Sequence, residues 1–224
     1  MNDLRLIRDQ KIIQFDYDQN FKKDDFYISK SNKHIVKLIN NWPKWEKNFL
    51  NINGVRYSGK THLINIFLKK FKGIKFEANS FINENLDEIK IHQNIVLENL
   101  TKNIDEKLIY SLLNIIDQDN KYLIITTTEP ITEIRFNLKD LKSRTKNFLL
   151  QNIKRPDDEL LFALILKNLS DRQISLEKKL INYIIRRIDR SYGKIFDFIY
   201  KIDEISLKKK KSIDFKIIKN ALEE

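Results

Sequence analysis

Apolar positions recur along this chain with two periods, and the change of period divides it. Residues 1–24 are mostly polar and show no sustained period, so they read as a tail. From Phe26 the pattern becomes organised. Residues 32–41 carry Ile35, Leu38 and Ile39 at helical spacing, and Pro43 ends the run. The short apolar stretch 48–52 suits a buried strand. Residues 61–71 put Leu63, Ile64, Phe67 and Leu68 on one helical face. Further strands are predicted at 75–81, 94–97, 122–127 and 148–151, with a helix at 106–117 between them. Strands alternating with helices argue for an α/β fold with a parallel sheet flanked by helices. After Pro156 the pattern changes. Residues 157–170, 176–188, 191–206 and 214–222 all have helical spacing, and no strand signal remains. The expected organisation is a tail over 1–24, an α/β base over 25–155 and an all-helical C-terminal domain over 156–224.

Composition sharpens this only in part. The 224 residues are 42% hydrophobic, enough to bury a core in one α/β domain with an appendage. There is no cysteine, which excludes disulfides and thiolate metal sites. His34, His62 and His92 are far apart and have no ligand spacing. No apolar run approaches the roughly 20 residues of a membrane span, and the first residues are charged. The expectation is a cytoplasmic protein without a membrane partner. The net charge of +11 fits a nucleic-acid or acidic-protein partner. It also fits plain bias, because Lys, Ile and Asn are abundant throughout. Only 208–211 form a lysine run, read as a solvated turn between the last two helices.

The sharpest signal is the octapeptide Gly54-Val55-Arg56-Tyr57-Ser58-Gly59-Lys60-Thr61. This is the P-loop pattern, with a predicted strand before it and a helix after it. Gly54 and Gly59 let backbone N–H groups close around phosphates. Lys60 reaches the β- and γ-phosphates, and Thr61 offers a hydroxyl to Mg²⁺. Ser58 and His62 flank the same cradle. The helix that follows points its positive end at the anion. A second Mg²⁺ contact belongs at the end of a neighbouring strand. Glu98 is the candidate there, followed by Asn99. An amide orients water but cannot take its proton near neutral pH. Hydrolysis by this chain alone is therefore expected to be weak. Thr126, Thr127 and Thr128 end the next strand, where a hydroxyl such as that of Thr127 could sense a γ-phosphate. Arg144 follows a loop, and a mobile arginine there can act in trans as an arginine finger.

The order of these parts resembles the DnaA/Hda family. P-loop, Glu98-Asn99, threonine-rich strand, Leu141-Lys142-Ser143-Arg144, Arg155-Pro156 and a helical region follow one another as in the AAA+ module of the bacterial replication initiator DnaA. The likeness covers about residues 25–224. Phe26 to Asn32 resembles the initiator's adenine-side segment, and the 141–144 tetrapeptide its finger-bearing motif. The resemblance implies an AAA+ P-loop NTPase base with a C-terminal all-helical lid. The chain ends at Glu224, where the initiator continues into a DNA-binding domain, so the expectation shifts to Hda, the initiator's regulatory homologue. Hda carries a clamp-binding peptide before its core. Gln10-Lys11-Ile12-Ile13-Gln14-Phe15 stands in that place, with Gln10, Ile13 and Phe15 as the contacts. Trp42-Pro43-Lys44-Trp45 resembles Hda-like proteins of α-proteobacteria.

The resemblance implies ADP or ATP with Mg²⁺ as cofactors. It implies DnaA and the DNA polymerase sliding clamp (its beta subunit) as partners, with DNA reached through the clamp. It leaves a homo-oligomer open. One departure falls in the lid, where the initiator's sensor arginine aligns with Gly193. Lys194 or Arg190 would have to serve instead. Two other functions compete. One is a DNA-associated AAA+ ATPase that loads or remodels replication proteins. The other is a P-loop small-molecule kinase, which the helical C-terminal region disfavours.

Overall fold

The computed structural model describes residues 26–209 and 212–223. The candidate clamp peptide, with Gln10, Ile13 and Phe15, lies outside the described residues. Five strands form one parallel sheet. They are β1 (Phe49–Asn53), β2 (Ile74–Glu77), β3 (Asn94–Glu98), β4 (Tyr122–Thr127) and β5 (Leu149–Asn152). Their spatial order is β2-β3-β4-β1-β5, so β1 lies inside the sheet with β4 and β5 as neighbours. A parallel pair needs a crossover on one face of the sheet, and helices supply it. These are α1 (Lys33–Asn40), α2 (Lys60–Phe71), α3 (Asn85–Lys90), α4 (Glu106–Gln118) and α5 (Lys139–Thr145).

Alternation along the central strands sets the layers. Ile95 and Leu97 of β3, with Leu123 and Ile125 of β4, face a core built with α4, including Ile109 and Leu112. Val96, Ile124, Leu50 and Ile52 face the opposite core, against Leu63, Ile64 and Phe67 of α2 and Ile35 of α1. Phe67 is fully buried. Removing such a ring to alanine typically costs about 3–5 kcal/mol. Both strand faces are covered, which explains why the strands read as near-continuous apolar runs.

The C-terminal region is helical: α6 (Asp158–Asp171), α7 (Lys178–Ile185), α8 (Tyr192–Lys209) and α9 (Phe215–Glu223). Leu161, Ile165, Ile184, Ile199, Ile202 and Ile218 form its own buried cluster. The start of this region touches the base, because Leu160 and Tyr192 belong to the α2-side core.

Two differences from the sequence reading have a physical cause. The strand expected over 75–81 stops at Glu77 and gives way to a 3₁₀ turn at Ala78–Ser80. The short helices α3 and α5 have no counterpart among the elements expected from the sequence. Each spans less than two turns or barely so, too little for an apolar period to register. Among the described residues, no helix is long and apolar enough to cross a membrane.

Candidate functional site

The loop between β1 and α2 is shaped by its two glycines. Gly59 has φ +90°, a conformation that side-chain-bearing residues rarely adopt. A Cβ on Gly54 would stand 2.8 Å from Ser58 Oγ, closer than real contacts come, and 3.1 Å from Ile153 Cβ, a tight approach. Gly54 N–H donates to Thr127 O at 3.1 Å, pinning the loop to the end of β4. Lys60 is buried, and its Nζ donates to Gly54 O at 2.6 Å and to Val55 O at 3.0 Å. The lysine thus braces the loop that it closes. Burial pushes the Lys60 ammonium below the ordinary lysine range, and the charge of Glu98 opposes that fall. Thr61 is half-buried in the first turn of α2.

A cavity of about 270 Å³ opens beside this loop. Ser58, Gly59, Lys60, Thr61 and His62 line one end. Phe26, Tyr27, Leu160, Leu164, Tyr192 and Ile195 make the apolar end. The volume, the backbone cradle and the apolar wall suit a phosphate-bearing ligand with a flat apolar group. Phe26 meets His62 edge-on, with ring centroids 5.1 Å apart.

The apolar wall is held by a capping residue. Asp157 begins α6, accepting from Leu160 N–H at 2.9 Å through Oδ1 and from Ser31 N–H at 3.1 Å through Oδ2. Asn32 closes the same turn, accepting from Ser29 N–H and donating to Tyr27 O, both at 2.9 Å. One carboxylate therefore joins the 26–32 segment to the first helix of the C-terminal region. Burial raises the Asp157 pKa, but hydrogen bonds from Leu160, Ser29, Ser31 and Glu159 outweigh it and leave the group below the usual carboxylate range.

Glu98 ends β3 with its side chain fully buried, and neither carboxylate oxygen accepts a hydrogen bond. Lys75 Nζ lies 3.0 Å from Glu98 Oε2 as an ion pair without hydrogen-bond geometry. Orphaned oxygens of this kind are what a cation site offers, and Thr61 and Glu98 are the donor types that a nucleotide-bound Mg²⁺ takes. The carboxylate is already neutralised by Lys75, however, so a divalent ion does not fit beside that ammonium as the side chains stand. Asn99 is exposed, with φ +59°. Its Nδ2 donates to Glu77 Oε2 at 2.9 Å, and its N–H donates to Thr126 Oγ1 at 2.9 Å. The Thr127 hydroxyl accepts from Asn51 Nδ2 at 2.9 Å.

Arg144, expected after a loop, does follow the 128–138 segment between β4 and α5. It lies in α5, its Nη1 donates to Asp117 Oδ2 at 2.5 Å, and its guanidinium sits 5.2 Å from the centre of the Tyr110 ring. Of the two lid candidates, Arg190 pairs with Asp158 at 2.6 Å, and Lys194 is exposed and does not line the cavity. Gly193 does face the P-loop, since a Cβ there would stand 3.8 Å from Tyr57 Cδ2.

Several residues of the site escaped the sequence. Asn51 is fully buried within β1. It donates to Ile125 O and Thr127 Oγ1 and accepts from Ile131 N–H. An asparagine inside an apolar strand was the available signal. Lys75, Lys167 of the cavity wall and the Tyr57–Phe196 ring pair left no local trace.

No family model matches the chain. The DnaA of Thermoanaerobacter sp. (strain X514) is 26% identical over 227 aligned positions, covering 90% of this chain and 51% of that protein. The DnaA of Borreliella afzelii is 26% identical over 153, covering 58% and 32%. The chain thus spans about half the length of the curated relatives it matches most fully. Domain III of Thermotoga maritima DnaA superposes with a TM-score of 0.70 at 18% identity, covering 94% of this chain and 98% of that one. DnaA bound to AMPPCP and single-stranded DNA gives 0.64 at 20%, covering 84% and 67%. The Thermotoga maritima RuvB branch-migration motor gives 0.67 at 12%, covering 91% and 72%. The fold is that of the AAA+ P-loop proteins. The sequence similarity, at 26% identity, is to DnaA proteins.

Proposed function

We propose that this DnaA-like chain holds an adenine nucleotide without turning it over and regulates replication initiation in trans. The observation that carries this reading is the contrast within one site. The residues proposed for the phosphate cradle, Gly54, Ser58, Gly59, Lys60 and Thr61, are all present in the loop, while Asn99, tied to Glu77, stands where the resemblance implies a water-activating acid. A closed cradle without a base at that position favours retention over hydrolysis. ADP is the proposed resident nucleotide.

In this reading Gln10, Ile13 and Phe15 engage the sliding clamp on DNA. Arg144 is offered to ATP bound by DnaA, where its guanidinium would stabilise charge on the transferring phosphoryl group. To reach it, Arg144 must leave Asp117. The pair is part-exposed, and such pairs contribute roughly 0–1 kcal/mol, so the exchange is cheap.

The test is hydrolysis of DnaA-bound ATP in the presence of clamp loaded on DNA. Wild type should stimulate it, and Arg144→Ala should lose at least about 10³-fold of that effect. Equal stimulation by both proteins overturns the finger role. Gln10→Ala should abolish co-elution with clamp. Strong ATPase by this chain alone, with salt-dependent DNA binding and no clamp, would favour the remodelling reading instead.

A further inference from the structure

Glu98 is the least satisfied ionisable side chain at this site. A buried carboxylate that accepts no hydrogen bond needs a cation beside it. In a P-loop site that cation is ordinarily a nucleotide-bound metal. Here the chain brings its own.

β2 and β3 run parallel, with Glu77 the Cα partner of Glu98 and Lys75 that of Val96. Residues two apart on a strand share a face, so Lys75 and Glu77 project to the same side of the sheet as Val96 and Glu98. Val96 packs into the α2-side core, so this is the side on which α2 and the P-loop lie. Lys75 reaches along the sheet to Glu98, with Nζ to Oε2 at 3.0 Å, and its side chain keeps 33% of its surface in solvent. Glu77 is taken by the Asn99 amide at 2.9 Å. The two β2 side chains thus engage both residues of the Glu98–Asn99 pair. Lys60 Nζ is meanwhile engaged by the Gly54 and Val55 carbonyls, so Lys75 is the ammonium in ion-pair contact with Glu98.

We propose that Lys75 is the resident counter-ion of Glu98 and takes the place of a divalent metal, so that the chain binds its nucleotide independently of magnesium. This rests on the nucleotide-holding reading above. A metal ion drawing on Glu98 would have to displace the Lys75 ammonium that already stands beside it. The charge of Lys75 is fixed by the fold and is present before any ligand arrives. The arrangement also suits a protein that retains ADP, since no metal has to be lost or regained.

Calorimetric titration with ADP, in EDTA and in magnesium chloride, tests this. Wild-type affinity should change by less than about threefold between the two buffers, and this arm needs no variant. Lys75→Met should bind at least about tenfold more weakly in EDTA and recover in magnesium. Lys75→Arg, which keeps the charge, should behave as wild type. Electron paramagnetic resonance with Mn²⁺ and ADP gives a direct readout, with bound manganese in Lys75→Met and none in wild type. A wild-type affinity that falls about tenfold or more on chelation overturns the proposal and leaves the nucleotide reading intact. Metal-independent binding by Lys75→Met also overturns it. Absence of ADP binding in both buffers overturns the nucleotide reading, and this proposal with it.

Discussion

The ring of Tyr57 stacks on the ring of Phe196, with centroids 5.1 Å apart and planes inclined by 10°. Tyr57 belongs to the P-loop, where it has φ +65°, and Phe196 belongs to α8. The Arg56 guanidinium lies 5.0 Å from the Tyr57 ring centre, and that of Arg172 lies 5.6 Å from the Phe196 ring centre. The C-terminal helices are thereby latched to the phosphate cradle at the point where the cavity wall crosses between them.

Phe196→Ala should unlatch α8. An aromatic pair of this kind is worth about 0.5–1.5 kcal/mol, so ADP affinity should fall by roughly two- to tenfold. Hydrogen exchange should speed up in α8 while the central strands stay protected. Unchanged exchange in α8 would show that the rings do not hold it.

Asp117→Asn should release Arg144 from its partner without touching the nucleotide cavity. The concentration of this chain needed to stimulate DnaA should then fall by up to about fivefold, the most that a pair of this exposure accounts for. ADP affinity, read by calorimetry, should stay the same. A rise in the required concentration would mean that Asp117 positions Arg144 rather than parks it.

Asn51→Leu should destabilise the fold by about 1–3 kcal/mol in urea unfolding. The side chain is fully buried, and its loss strands the Ile131 N–H that it now satisfies. Thr127 would lose the donor that fixes its hydroxyl at the end of β4. A loss near zero would mean that β4 and the loop after it rearrange to pair among themselves.

Stability should decline at alkaline pH through Tyr192. Its hydroxyl donates to Lys154 O at 3.1 Å. Burial first, and the Asp157 charge second, push its pKa up to about 12 from the ordinary 10.0. Between those values the unfolded chain has lost the proton and the folded chain keeps it, so raising the pH favours unfolding. The contribution is whole below pH 10.0 and is lost as pH climbs towards about 12. Tyr192→Phe should flatten this limb in unfolding measured as a function of pH. An unchanged slope would assign the limb to other groups.

By itself, the sequence determined the layered α/β base, the P-loop and the turn to all-helical structure after Pro156. Each of these is written in neighbouring residues. A buried parallel strand must be apolar along its length, a phosphate cradle needs glycines at fixed spacing, and a helix shows its period within about three turns. The tertiary structure decided what those parts face. Lys75 and Glu98 are brought together by the register of β2 on β3, Arg144 and Asp117 by the packing of α5 on α4, and Tyr57 and Phe196 by the closure of the C-terminal helices on the loop. Such contacts depend on the register and packing of elements distant in sequence, and local spacing does not encode either. The sequence could therefore name the P-loop, while only the fold disclosed the ammonium beside Glu98 and the acid paired with Arg144.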